Sequence, residues 1–461
     1  MSRPEPMWQE PFDSAQGTQA RAQQQLELRE YNRAVIESLR PASRGYWLVV
    51  GLLAAAIGWA ACCWGYQICN GMGVIGINHP IGWGTYIVNF VFWIGIGHAG
   101  TLISAILYLF RVRWRTAIYR SAEAMTVFAV MTAGLFPLIH LGRVWVFWFI
   151  LPYPNQRHLW PNFKSPLVWD VVAVTTYLTV SIIFWYAGMI PDLAAVRDST
   201  DGRRHRIYRW LALGWSSEHG QWRHYLRGYM CLAALATPLV ISVHSIVSWD
   251  FAMSLLPGWH STIFAPYFVA GAIHSGLAMV ILLLIPMRRF LRLEHVIRIS
   301  HLEQAALLMI LTGSIVLYAY VVEAFISWYS GDVFERQFSV WRMFGAYGWA
   351  FWLMVLFNGI APYGFFFKAL RTRLAALFAI SLLVTAGMWL ERFVIVVGST
   401  AHDFMPTNWA VYRPTWVEVS IGVGALCWFL FWFLLFAKHL PAVSIVESKE
   451  ATIARAVEAA A

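Results

Sequence analysis

The sequence predicts an all-α integral membrane protein of about ten transmembrane helices. Composition points there first: of 461 residues, 59% are hydrophobic and 13% charged, with 26 Trp, and the mean hydropathy is +0.56. That lies outside the range of a soluble globular chain. The second observation is a succession of apolar stretches near or above the length of about 20 residues that a helical span needs. The third is the placement of the cations. Of 34 Lys and Arg, 27 fall in the termini and in alternate connections, all on one side of the succession.

Taken in order, the spans are expected at 46–68, 83–110, 119–149, 166–190, 225–255, 261–286, 300–329, 343–369, 374–397 and 414–436. Residues 1–45 are polar, rich in Gln, Glu and Arg, and lack the basic start and apolar core of a cleavable signal. They are expected to form a cytoplasmic segment. The opposite connections carry only Arg157, Lys164, Arg336, Arg342 and Arg413. Positive charge marks the cytoplasmic side, so both termini are predicted to be cytoplasmic. The net charge of +10 is thereby explained by topology, and nucleic acid is excluded as a partner.

An internal repeat organises the spans. GIGHAGTLISAILYLFRVRWR from Gly95 resembles GAIHSGLAMVILLLIPMRRF from Gly271, and Glu123 corresponds to Glu303 in the span that follows each copy. An even number of spans separates the copies, so both keep one orientation. Two pseudo-symmetric four-helix bundles are expected, spans two to five and six to nine, related by an axis along the membrane normal, with spans one and ten flanking them. The divisions are 1–45, 46–82 (first span and periplasmic loop), 83–255 (first bundle), 256–397 (second bundle), 398–441 (last span) and 442–461 (cytoplasmic tail). In the alignment His140 falls opposite Tyr320 and Asp170 opposite Ala350, so only the first bundle carries that ionisable pair.

The stretch 133–170 holds His140, Arg143 and Asp170 around an aromatic turn, WVFWFILPYP. Ionisable groups cost roughly 2.5–3.5 kcal/mol at the bilayer centre and less towards the interface, so a set of them calls for a reason. The same periplasmic face collects Asp250, Glu323, Glu391 and Arg392, with His244 about two turns below Asp250. Oxidising a quinol releases two protons, and histidine and carboxylate are the side chains that accept them near neutral pH. His140 is the candidate first acceptor and Asp170 its partner. Asp250 is placed to pass protons outward, Arg392 to keep a carboxylate ionised, and Arg143 lies on nearly the same helical face as His140. The alternative for these residues is structural, with His140 in a packing contact and Asp170 favoured at a helix start. The aromatic turn likewise reads either as an interfacial belt or as the wall of a quinol slot.

Deeper towards the cytoplasm lie His98, Glu123, His274 and Glu303, with Thr101 and Ser104 nearby. They suit a proton half-channel, and equally helix caps and packing groups. Five cysteines, Cys62, Cys63, Cys69, Cys231 and Cys427, show no CxxCH and no ferredoxin-like spacing. No haem, iron–sulfur cluster or metal is expected in this chain. The two equivalent histidines His98 and His274 leave a single haem open on counting alone, whereas no span holds two histidines about four turns apart as a two-haem bundle requires.

Beyond these physical readings, the runs INHPIGWGTYIVNFVFWIGIGHAGTLISAILYLFRVRWR, EAMTVFAVM, FPLIHLGRVW, LPYPNQR, SPLVWDV and IPDLAAVRD resemble a known family. It is the quinol-oxidising membrane subunit of bacterial alternative complex III, in the NrfD/PsrC polysulfide reductase membrane-anchor superfamily. SWDFAMSLLPGWHSTIFAPYFVAGAI, ISWYSG, LERFVIVV and RPTWVEV extend the resemblance over about 46–441. It implies ten helices in two four-helix bundles and a menaquinol or ubiquinol site near the periplasmic face, without a cofactor in this chain. Through HLGR, LVWDV, SWDF and LERF it implies His140, Asp170, Asp250 and Arg392 as site residues. It further implies c-type haem subunits, a periplasmic iron–sulfur subunit, a second homologous membrane subunit and a terminal oxidase or other acceptor. Two other readings stand beside it: the membrane anchor of a molybdopterin or nitrite reductase, and a secondary transporter. Against the transporter, the charges concentrate at one face rather than at the midplane.

Overall fold

The computed structural model describes residues 33–39 and 41–445. Most of the expected N-terminal segment and C-terminal tail lie outside those residues. Among the described residues there is no strand beyond an isolated bridge between Asn78 and Ile81, and ten helices are long and apolar enough to cross a membrane. Hydrocarbon offers no hydrogen-bond partners, so a spanning chain must satisfy its own backbone, and helices do this segment by segment. The spans are α1 (Arg44–Asn70), α2 (Thr85–Leu109), α3 (Tyr119–His140), α4 (Pro166–Asp198), α6 (His219–Ala252), α7 (Phe264–Phe290), α8 (Ile299–Tyr329), α10 (Gly348–Phe366), α11 (Leu374–Ala401) and α12 (Trp416–His439). Two shorter helices, α5 (Gly202–Leu211) and α9 (Val333–Phe344), lie in the connections.

Three expected spans are corrected. The third stops at His140 instead of running to 149. Gly142 follows it with φ of +68° and its N–H bonds back to Ile139, a left-handed helix stop that favours glycine. A Cβ there would come within 2.7 Å of Met72 Cγ. The aromatic residues beyond form a 3₁₀ segment, Val144–Ile150. The fourth span continues past Pro191 to Asp198 rather than ending at 190. Arg120 donates to the nearby carbonyls of Gly188 (2.6 Å) and Trp185 (3.3 Å), holding the helix around its proline. The eighth span begins at Gly348, not 343, because residues up to Phe344 belong to α9 and the chain turns through Gly345.

Packing forms two rings. Helix α2 touches α3 and α6, and α4 touches α3 and α6; likewise α7 touches α8 and α11, and α10 touches α8 and α11. The rings meet along α2 and α7, with α6 against α7 and α11 against α2. Exchanging α2 with α7 and α6 with α11 reproduces that contact pattern. Helices α1 and α12 pair with each other, and α12 lies on α3. The seam is built from small residues that let backbones approach closely. A Cβ on Gly276 would sit 2.4 Å from Ala99 Cβ and 2.8 Å from the Ile96 carbonyl. Gly276→Val is therefore expected to destabilise the protein by about 1–3 kcal/mol through overpacking, read as a lower unfolding temperature of the purified protein in detergent. An unchanged unfolding temperature would contradict the seam.

Candidate functional site

At the face predicted to be periplasmic lie three helix ends of the first ring, the end of α3, the start of α4 and the end of α6, with α4 packed against both of the others. Asp170 lies in the second turn of α4, which is set by Pro166 at its first position. Its side chain is buried (4% exposed), and neither carboxyl oxygen has a hydrogen-bond partner among the described residues. The carboxyl it faces is that of Asp250, from the last turn of α6, whose Oδ1 is also without a partner. Sequence separation gave no hint of this pair. Two facing carboxyls without other partners are equipped to exchange a proton with a third group placed beside them.

His140 closes α3, with its Nδ1 buried and unpartnered. The charged group acting on it is Glu418, at the start of α12, rather than Asp170. Glu418 is 1% exposed and collects donors from four places. Its Oε1 accepts from the Tyr412 hydroxyl and from Thr85 Oγ1 (3.2 Å), and its Oε2 from the N–H groups of Gly76 (2.7 Å) and Thr415 (3.0 Å). Burial and the adjacent Glu418 push the Tyr412 phenol above its usual range, keeping it a donor. Gln67 Nε2 donates to the Ile139 carbonyl (3.0 Å) and its Oε1 accepts from Tyr86 (2.7 Å), fixing the end of α3 on which His140 stands. Glu418, Tyr412, Gln67 and Tyr86 are absent from the sequence-derived set. For Glu418 a signal existed: Thr415 and Glu418 form a capping box, readable as T-x-x-E in TWVE.

A second group of polar residues lies inside the two rings, His98, Thr101, Tyr177 and His244 in the first and Tyr320, Asn358, Glu391 and Arg392 in the second. The rings of His98 and His244 pack with centroids 4.5 Å apart, beside Tyr177. His98 Nδ1 donates to the Ile94 carbonyl (2.6 Å), while His98 Nε2 and both nitrogens of His244 have no partner among the described residues. Thr101 and Tyr177 share a hydrogen bond of 2.6 Å. Arg392 bonds the adjacent Glu391 and lies 4.7 Å over the ring of Phe268. Glu391 in turn accepts from Tyr320, and Asn358 Nδ2 donates to the Tyr320 hydroxyl (3.0 Å). Arg392 is thus engaged at the seam, with His98 and His244 within its electrostatic reach.

The remaining candidates separate into local pairs. Arg342 bonds Glu323 (3.4 Å), Arg371 bonds Glu303 (2.7 Å), and His274 hydrogen-bonds Thr312 (2.9 Å). Glu123 joins Arg120 (3.4 Å) and Tyr229 (3.1 Å). Arg143 is exposed at the head of the aromatic segment. Trp145, Phe147, Trp148 and Phe149 of that segment are themselves about half exposed. Among the described residues no three His, Cys, Asp or Glu are grouped so as to hold a metal ion.

Two rings of membrane helices, with a carboxyl pair buried at one face, define a polytopic all-α membrane protein. Residues 73–402 match the family model described as polysulphide reductase, NrfD. The chain belongs to that family. It is 27% identical over 425 residues to a putative dimethyl sulfoxide reductase membrane subunit of Halobacterium salinarum, covering 86% of this chain and 90% of that protein. It is 24% identical over 327 residues to the Hdr-like menaquinol oxidoreductase integral membrane subunit of Archaeoglobus fulgidus, 69% of this chain and 70% of that one. A 25% identical stretch of 224 residues matches a subunit of the selenate reductase of Mesobacillus selenatarsenatis, 47% of this chain and 51% of that protein.

Proposed function

We propose that this chain is the quinol-binding membrane subunit of a respiratory oxidoreductase complex, and that Asp170, Asp250 and His140 form its proton-accepting site. The observation that carries this reading is the Asp170–Asp250 pair, buried at one face with carboxyl oxygens unspent. A quinol head group beside the pair loses two protons and two electrons. One hydroxyl proton passes to the carboxyl pair and the other to His140 Nδ1 or its exchange partners. The two electrons leave to an iron–sulfur subunit docked at the same face, for which the exposed aromatic segment Val144–Ile150 offers an apolar surface. His98, His244 and Arg392, and the Glu123 and Glu303 pairs further in, support a second proposal, proton movement between the rings.

Two assemblies suit this subunit. One is alternative complex III, in which c-type haem subunits and a second homologous membrane subunit work with it to deliver electrons towards a terminal oxidase. The names of two relatives, dimethyl sulfoxide reductase and selenate reductase, favour the other, the anchor of a terminal reductase. The menaquinol oxidoreductase relative supports oxidation of quinol in either setting. The purified complex discriminates: a c-type haem spectrum belongs to the first, bound molybdenum to the second. The site itself is tested with a photoreactive quinol analogue on the intact complex. It is expected to label peptides from 133–170 or around Asp250, competed by a quinone-site inhibitor. Absence of competed labelling there would refute the assignment.

A further inference from the structure

A recess of about 260 Å³ opens at the same face, but at the end of the second ring, away from Asp170. It lies between the α6–α7 connection, the end of α8 and α9. Its setting parallels the end of α3 in the first ring: α3 and α8 are each followed by a short helical segment, Val144–Ile150 and Val333–Phe344, before the next span.

The polar groups of the lining divide into spent and unspent. Asp332 Oδ1 caps α9, accepting from the N–H groups of Phe334 (2.8 Å) and Glu335 (3.3 Å). Both Glu335 oxygens face the Gly258 N–H at 3.0 and 3.1 Å, and Glu323 is bonded to Arg342. Each carboxylate thus already has at least one donor, and His260, also in the lining, turns its Nδ1 to the Ser254 carbonyl (3.1 Å). What remains is donors: Arg342 is more than nine-tenths buried with its Nε unpartnered, and Ser327 and Ser261 bring hydroxyls to the same wall. Three carboxylates against one guanidinium repel an anion such as a phosphodiester, and unspent donors call for acceptors. Aromatic rings complete the wall. Phe334 and Phe404 pack at 5.0 Å, and the Arg342 guanidinium lies 5.6 Å over Phe338. At the edge of the recess Leu255 is 79% exposed, an apolar contact for a hydrocarbon tail.

A neutral, flat ligand bearing carbonyl acceptors meets all of these conditions. We infer that the recess between Arg342 and Phe404 is a second quinone head-group site, separate from the Asp170–Asp250 site and taking the oxidised form. The inference rests on the proposed function for the presence of quinone, and the test separates the two. The intact complex is labelled with a photoreactive quinone, and the labelled peptides are mapped. Wild type is expected to be labelled both near Asp170 or Asp250 and within 323–342 or 255–261. Ser327→Trp, which fills the recess and leaves the Arg342–Glu323 pair in place, should lose the second label and keep the first. Arg342→Lys keeps the charge but removes the Nε–H donor, and should weaken the second label about tenfold. Labelling at the first site alone, or a second label indifferent to Ser327→Trp, would overturn the inference while leaving the proposed function standing. A phospholipid that co-purifies with wild type and is lost from Ser327→Trp would also overturn it. No labelling at either site would overturn both.

Discussion

Asp170→Asn is expected to lower the turnover of quinol by the assembled complex about a hundredfold, within the range by which a positioned proton acceptor contributes. The amide has nearly the shape of the carboxyl but takes no proton at neutral pH. Asn keeps the shape of the side chain and can still hydrogen-bond the facing Asp250 carboxyl, so the complex should assemble normally. Quinol affinity is expected to change little, placing the loss in kcat rather than in KM. The measurement is steady-state quinol oxidation by purified complex, with its polypeptide composition checked on a gel. Turnover at the wild-type rate would remove Asp170 from the site.

The largest effect on stability is expected at Arg120, less than 2% exposed at the start of α3. It bonds Asp192 Oδ2 (3.0 Å) and Glu123 (3.4 Å), as well as the Gly188 and Trp185 carbonyls of α4. Arg120→Leu would leave two carboxyls buried beside each other and remove the donor that bridges α3 to α4. Breaking a buried charge pair from one side costs about 3–5 kcal/mol. The variant should accumulate poorly and unfold at a lower temperature in detergent, and adding Asp192→Asn should recover part of the loss. An unfolding temperature equal to wild type would show that the cluster does not hold the helices together.

The fold was legible because its causes are local. Apolar length sets each span, so ten spans could be placed from sequence. The misplaced boundaries lie where a single feature overrides hydropathy. Gly142 stops α3 within a stretch that is apolar apart from His140 and Arg143, Arg120 carries α4 past Pro191, and α9 ends in residues apolar enough to pass for the start of α10. The candidate residues were legible as types at one depth, but not as pairs. Asp170 and Asp250 are 80 residues apart and meet only because α4 and α6 are neighbours. Arg392 was expected near a carboxylate at the rim, and its partner is the residue beside it, Glu391. Glu418 was hidden because a carboxylate in a capping box looks ordinary until burial and four donors are seen around it.

The Gly276 seam bears on how the molecule moves. A carrier that works by rocking its halves needs an interface that shears and reseals on each cycle. Here the two rings interlock at the depth of a missing Cβ, so sliding α7 along α2 would drive Ala99 into the helix opposite. The close approach of Gly276 to Ala99 and to the Ile96 carbonyl thus favours halves that stay together, and under the proposed function only small movements, of protons and of a flat head group entering from the side, are required.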